Sequence, residues 1–212
     1  MKKLVIFGAG GMAKEVAMLI KDINSVEHKF DLCGFAVDDK YYKLEMEILG
    51  LPVFTRDWLI AHKQDYGCAC AVGYPIARRR VQEGLISEGV RVESLLHPTT
   101  RIGENTVIGF GCIMEPGCDI SVDCMVGNGV FLNGNVNIGH DSVIGDYVTC
   151  FPKSQISGHV IIEDEACIGT MAFVNVNRRI GKRAIVAPGS FVFNNVKDDT
   201  HVLGNPARRI EI

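Results

Sequence analysis

The sequence predicts a small parallel α/β domain, a Rossmann-like half, followed by an all-β left-handed parallel β-helix. Three observations carry this: strand-like and helix-like segments alternate over the first third, an apolar residue recurs every six positions over the rest, and a small or β-branched residue stands four positions after each of those. The expected division is residues 1–95 and 96–212.

The period is explicit. Stepping by six from Ile102 gives Ile102, Ile108, Met114, Ile120, Val126, Leu132, Ile138, Ile144, Cys150, Ile156, Ile162, Ile168, Val174, Ile180, Val186 and Val192, sixteen apolar residues in succession. For a chain that is 47% apolar, chance produces such a run with odds on the order of 10⁻⁵. Of the sixteen positions four residues further on, fifteen are small or β-branched and Arg178 is the exception. Glycine often follows the aliphatic, as at Gly103, Gly139 and Gly169, and is read as supplying backbone freedom for a turn. Each hexapeptide then contributes one short strand and one corner, and three close a triangular coil of eighteen residues. One coil is too small to hold a core, but neighbours cover its ends. Cys112, Cys118 and Cys124 fall on the small inward position and are read as packing residues in a reduced protein, not as metal ligands or disulfide partners. No metal site is expected.

The N-terminal third reads differently. Leu4–Phe7 is a buried-strand candidate, followed by a helix with Met12, Val16, Leu19, Ile20 and Ile23 on its apolar face. Leu32–Val37 and Cys68–Gly73 are further strands, Trp58–His62 and Ile76–Ser87 helices, and Val90–Leu96 closes the domain. Gly8-x-Gly10-x-x-Ala13, after a strand and opening a helix, lets backbone amides approach a phosphate. Alone it is a weak motif, and a tight turn without ligand explains it equally well. Fewer than 100 residues hold only one mononucleotide-binding half, which suits a nucleotide-linked substrate better than a dinucleotide redox cofactor.

Formal net charge −3 and pI near 6.1 supply no basic field for nucleic acid or for an anionic membrane surface. Apolar stretches are too short to span a bilayer, and Met1-Lys2-Lys3 leads straight into a strand, so a cytoplasmic protein with small-molecule substrates is expected.

Several motifs together resemble one family. They are Lys3-Leu4-Val5-Ile6-Phe7-Gly8-Ala9-Gly10-Gly11, Gly34-Phe35 with Asp38-Asp39, Ala71-Val72-Gly73 with Arg78, His97-Pro98, Gly139-His140-Asp141 with Ile144-Gly145-Asp146, and Gly204-Asn205-Pro206-Ala207-Arg208. The chain resembles, over nearly its whole length, the hexapeptide-repeat sugar acetyltransferases, which include sialic-acid O-acetyltransferases and N-acetyltransferases of nucleotide-linked aminosugars. The resemblance implies acetyl-CoA as co-substrate and an amino or hydroxyl group of a nucleotide-linked sugar as acceptor. His140 is then the general base, with Asp141 orienting it. Imidazole suits that role because its ordinary pKa lies near neutrality. The resemblance also implies acetyl-CoA contacts at Thr149, Thr170, Pro188, Gly204, Asn205 and Arg208, and nucleotide-sugar contacts at Gly10, Gly11, Met12, Asp38, Asp39, Gly73 and Arg78. It further implies a homotrimer with active sites between protomers.

Coil arithmetic adds Gly158 without help from the family. It lies eighteen residues beyond His140, on the same corner of the next coil, where its N–H can serve an oxyanion. The chain departs from the family in carrying Thr149 where relatives often have a second histidine, Phe151-Pro152-Lys153 for Ala-Pro-Gly, and Tyr74-Pro75 for Asp-Asn. Lys182, Arg183 and Arg209 are further phosphate candidates, equally well explained as solvated surface, and His97 and His159 are read as structural. Two rival classes remain at this point: a non-catalytic nucleotide-sugar-binding or scaffold β-helix, and an NAD-linked oxidoreductase using the Gly8 turn.

Overall fold

The computed structural model describes residues 1–211 and divides into two compact units, Met1–Pro98 and Thr99–Ile212.

The first unit is a parallel sheet flanked by helices. In chain order it contains β1 (Lys2–Phe7), α1 (Gly11–Val26), β2 (Phe30–Val37), β3 (Glu47–Ile48), β4 (Leu51–Thr55), α2 (Arg56–Ala61), β5 (Gly67–Cys70), α3 (Pro75–Ser87) and β6 (Arg91–Val92). The strand order is β3-β4-β2-β1-β5-β6, parallel except for the β3–β4 hairpin. β1 sits at the centre, with Leu4, Val5 and Ile6 fully buried. α1 buries Ala13, Val16, Ala17, Leu19, Ile20 and Ile23. Met12 is only half-buried and begins the helix without joining its core face. Val90–Leu96 is not one strand: β6 covers Arg91–Val92, and Leu95–Leu96 is separate.

The hairpin β3–β4 has no counterpart in the sequence reading. Its two-residue loop, Leu49-Gly50, takes φ of 52° and 73°, the left-handed turn that matches strand twist. Leucine is an uncommon residue there, and Pro52 inside β4 argues against a strand by composition.

The second unit is a parallel β-helix. Two-residue strands pair in eighteen-residue steps, as in Ile102–Ile120–Ile138–Ile156–Val174–Val192. Fourteen of the sixteen aliphatic positions are buried, and the exceptions, Ile102 and Ile108, belong to the first coil, which no coil of this unit precedes. Arg178, the exception at the small position, turns its Nε back onto the Val176 carbonyl at 3.0 Å.

The corners correct the reading of the glycines. The left-handed residue is not the glycine after the aliphatic but the residue two further on: Asn105, Gly111, Gly117, Asp123, and so on every six positions to Gly189 all have φ between 55° and 72°. Gly103, Gly139 and Gly169 are there for space. A Cβ on Gly139 would lie 2.5 Å from the Gly158 nitrogen, and one on Gly169 2.5 Å from the Pro188 nitrogen, because coils stack backbone on backbone at these points. On the Gly127–Gly145 corner, each coil's acidic side chain caps the amide one coil back. Asp146 Oδ1 accepts from Asn128 N at 2.7 Å, and Asp164 Oδ1 from Asp146 N at 3.1 Å.

Candidate active site

His140 and Asp141 occupy the corner between strands Asn137–Ile138 and Val143–Ile144. Asp141 takes the left-handed position, with φ 58°, which aspartate tolerates better than most residues. Its Oδ2 accepts a hydrogen bond from His140 Nδ1 at 2.7 Å. This bond holds the Asp141 carboxyl below the usual carboxylate range. The ionised carboxylate is lost as pH falls through that lowered value. Both side chains are about half exposed.

Gly158 lies where the coil geometry puts it, directly against the ring. A Cβ at this position would be 2.8 Å from both Cε1 and Nε2 of His140, so the absence of a side chain leaves room for the imidazole. The next residue ties the two coils together: His159 N donates to the His140 carbonyl at 2.9 Å. The Gly158 carbonyl accepts from Asn177 N at 3.2 Å, and among the described residues no partner takes its N–H.

Thr170 and Pro188 sit one coil apart on a different corner, joined by Gly189 N donating to the Thr170 carbonyl at 2.8 Å. The strands Phe173–Val174 and Phe191–Val192 run from that corner toward the one carrying His140 and Gly158. Their outward rings stack, Phe173 on Phe191 at 4.3 Å and Phe191 on Phe193 at 4.5 Å, a row that sequence reasoning did not single out. The tail packs at the same end. Gly204 N donates to Ser190 Oγ at 3.1 Å, and Ala207 N to the Phe191 carbonyl at 2.8 Å, before Arg208 starts a short antiparallel strand. Asn205 precedes a cis Pro206 in that turn. Thr149 stands apart: it is fully buried in an outward row with Ile113, Phe131 and Cys167, also buried. Its hydroxyl has no open surface in this chain. Lys182 and Arg183 are already engaged, by Asp164 at 3.8 Å and Asp199 at 2.6 Å.

In the first unit, a cleft of about 1050 Å³ opens at the carboxyl ends of β1, β2 and β5, lined by Gly8, Ala9, Asp38, Asp39, Ala71 and Val72 among others. The chain reverses direction across the sheet between β1 and β5, the position where open α/β sheets bind ligands. Asp38 pairs with Arg56 at 3.4 Å, and Lys40, Tyr41, Tyr74 and Arg80 complete the rim. Apart from Tyr74, noted as a departure from the family, the sequence reading missed this cationic and aromatic set. Gly10, Gly11 and Met12 open α1 outside the cleft lining, and Gly73 faces the Met12 sulfur. Arg78 is buried, and its Nη1 donates to the carbonyls of Val72 and Gly73 at 3.1 and 3.0 Å. These bonds brace the loop after β5. His97 is likewise engaged, 3.6 Å from Asp22.

Comparison with known proteins places this geometry. Residues 3–85 match the family model of the PglD N-terminal domain. The GDP-perosamine N-acetyltransferase of Escherichia coli O157:H7 is 32% identical over 212 residues, covering 97% of this chain and 95% of that protein. The structure of WeeI from Acinetobacter baumannii AYE superposes with a TM-score of 0.89 at 29% identity, over 99% of this chain and all of that one. PerB from Caulobacter crescentus, solved with CoA and GDP-perosamine, gives the same TM-score at 23% identity over 100% and 98% of the two chains, a likeness of fold. A hexapeptide-repeat β-helix matched over nearly its whole length by an N-acetyltransferase places the chain among the acyltransferases of the hexapeptide-repeat class. Within that class, this chain belongs to the sugar N-acetyltransferase family.

Proposed function

We propose that this chain transfers the acetyl group of acetyl-CoA directly to the amine of a nucleotide-linked aminosugar, with His140 as general base. One observation carries the reading: the His140–Asp141 pair, bonded at 2.7 Å, lies against the bare Cα of Gly158 one coil on. Asp141 fixes the Nδ1–H tautomer and leaves the Nε2 lone pair to accept the proton of the attacking amine. As the C–N bond forms, the thioester carbonyl becomes an oxyanion, which the Gly158 N–H stabilises. Collapse breaks the C–S bond, and the imidazolium proton goes to the departing thiolate of CoA. An acyl-enzyme on Cys70 or Cys118 is disfavoured, because burial raises these thiols to about 12 and about 11.

The first unit supplies the nucleotide site, with Asp38, Asp39 and the cations of the cleft as its polar contacts. The relative's substrate, GDP-perosamine, makes a GDP-linked 4-amino sugar the first acceptor to try. Acetyl-CoA takes the surface between the His140 and Thr170 corners toward the tail, with Thr170, Pro188, Gly204, Asn205 and Arg208 beside it. All eight cysteines are free, which suits a cytoplasmic protein, and among the described residues no helix is long and apolar enough to cross a membrane. Acetyl-CoA supplied with a panel of GDP-, UDP- and dTDP-linked 4-amino sugars should yield free CoA and N-acetylated nucleotide sugar in equal amounts. CoA release with none of them would sink the reading.

We also propose a homotrimer. On the face that follows the His140 corner, Val107, Met125, Val143 and Ile161 form an exposed apolar ladder, with Met125 60% exposed. A flat apolar row on a stacked fold is suited to a second copy that would wall the active site. Met125→Glu puts a charge into that contact and should shift the sedimentation coefficient from trimer to monomer, with loss of most activity. A trimer that survives the substitution unchanged would move the interface elsewhere.

A further inference from the structure

A third donor stands beside the His140–Asp141 pair. The His159 ring packs edge-on against that of His140, with centroids 5.1 Å apart and planes at 87°. Its Nε2 lies 3.8 Å from Asp141 Oδ2, the oxygen that His140 Nδ1 reaches at 2.7 Å. One donor atom from each of the three side chains falls within 4.8 Å of the other two, and all three residues are exposed. The backbone fixes this convergence. Asp141 and His159 occupy equivalent left-handed corner positions of adjacent coils, with φ 58° and 55°, and the 2.9 Å bond from His159 N to the His140 carbonyl clamps the coils together.

Two imidazoles and one carboxylate are a donor set for borderline divalent transition metals, not for calcium or magnesium, which favour oxygen. A tetrahedral zinc ion lies about 2.0–2.2 Å from such ligands, which brings the donors to about 3.3 Å from one another. Exposed side chains reach that spacing by small torsional adjustments, and the fourth position stays open. We propose that His140, Asp141 and His159 form an inhibitory site for Zn²⁺ or a similar transition-metal ion at the acyl-transfer centre.

Inhibition follows from electron counting. A neutral imidazole has one lone pair, and its single N–H proton sits on the other nitrogen. Once the metal takes the lone pair of His140, nothing on the ring can accept the proton of an incoming amine. The open position also suits the thiol of product CoA: a metal–sulfur bond forms and the S–H proton passes to solvent, leaving a dead-end complex.

The test uses the tag-free full-length protein and Co²⁺ as a spectroscopic probe. Saturable visible bands of tetrahedral intensity are expected, displaced by Zn²⁺, together with Zn²⁺ inhibition of acetyl transfer that EDTA reverses. His159→Asn removes one ligand and keeps a residue that tolerates the left-handed backbone, as Asn177 does one coil on. Acetyl transfer without metal should persist in this variant. Zn²⁺ affinity and inhibition should both weaken by at least about tenfold, since loss of even an outer-shell partner costs that much. Absence of tetrahedral Co²⁺ bands, or Zn²⁺ inhibition equal in the variant and the parent, would overturn the proposal. The inhibitory consequence rests on His140 being the base, whereas the Co²⁺ spectrum does not. CoA added to the Co²⁺ form should produce a sulfur-to-cobalt charge-transfer band. Visible bands without it would uphold the metal site and count against the placement of CoA at His140.

Discussion

His140→Ala is expected to lower kcat for acetyl transfer by about 10²- to 10⁴-fold, the range ascribed to a positioned general base, while KM for acetyl-CoA changes little. The side chain is 55% exposed and its main partner is Asp141, so its removal opens no core cavity and the oligomer should survive. Added imidazole should restore part of the rate, because a small base can occupy the vacated space beside Gly158. The pH dependence separates base from bystander. In the parent enzyme kcat/KM should rise with pH as one group loses a proton, and that limb should vanish in the variant. Asp141 is not the source of the limb, since the hydrogen bond from His140 keeps its carboxyl below the ordinary carboxylate range. Turnover within about tenfold of the parent would reject His140 as the general base.

Much of this site was legible because the repeat converts sequence distance into spatial distance. A residue eighteen positions on lies one coil away on the same corner, so Gly158 could be set against His140 from spacing alone, as the 2.8 Å approach bears out. The same rule did not reveal why glycine follows the aliphatics, because periodicity reports which residues align and not how closely two backbones pass. Nor did it separate His159 from other corner residues: the left-handed column also holds Asn105, Asp123 and Asn177, so a histidine there looks like a turn former until ring distances are known. Thr149 illustrates the opposite failure. Resemblance aligned it with a ligand position, but the row from Ile113 to Cys167 is buried. In the first unit, the central strand and both long helices were readable from apolar runs, whereas the Leu49-Gly50 hairpin violated the usual turn chemistry. The cleft draws on β1, β2, β5 and α3, so no single stretch of sequence displays it. The resemblance set Arg78 on the nucleotide sugar, and its burial against the Val72 and Gly73 carbonyls is a property of the packed loop that residue type does not display.

Gly158→Ala is expected to reduce kcat by about 10²-fold, the loss that a misplacement near 1 Å produces at a reacting centre. The new methyl would meet Cε1 and Nε2 of His140 at 2.8 Å and Cδ2 at 3.2 Å, so the ring must swing aside. The effect should be confined to the ring. Gly158 lies outside the positive-φ positions, so alanine can adopt its backbone without strain, and the Cβ meets a mobile side chain instead of main chain. Gly139→Ala provides the contrast, because its Cβ would strike the Gly158 nitrogen at 2.5 Å and force two coils apart. Thermal unfolding should therefore separate the pair: Gly139→Ala lowers the midpoint, while Gly158→Ala leaves it near the parent value and loses turnover. Since alanine retains the amide, the Gly158→Ala defect measures the ring's position and not the oxyanion bond. A Gly158→Ala enzyme with parental kcat would mean that the imidazole pose against this corner is not the reactive one.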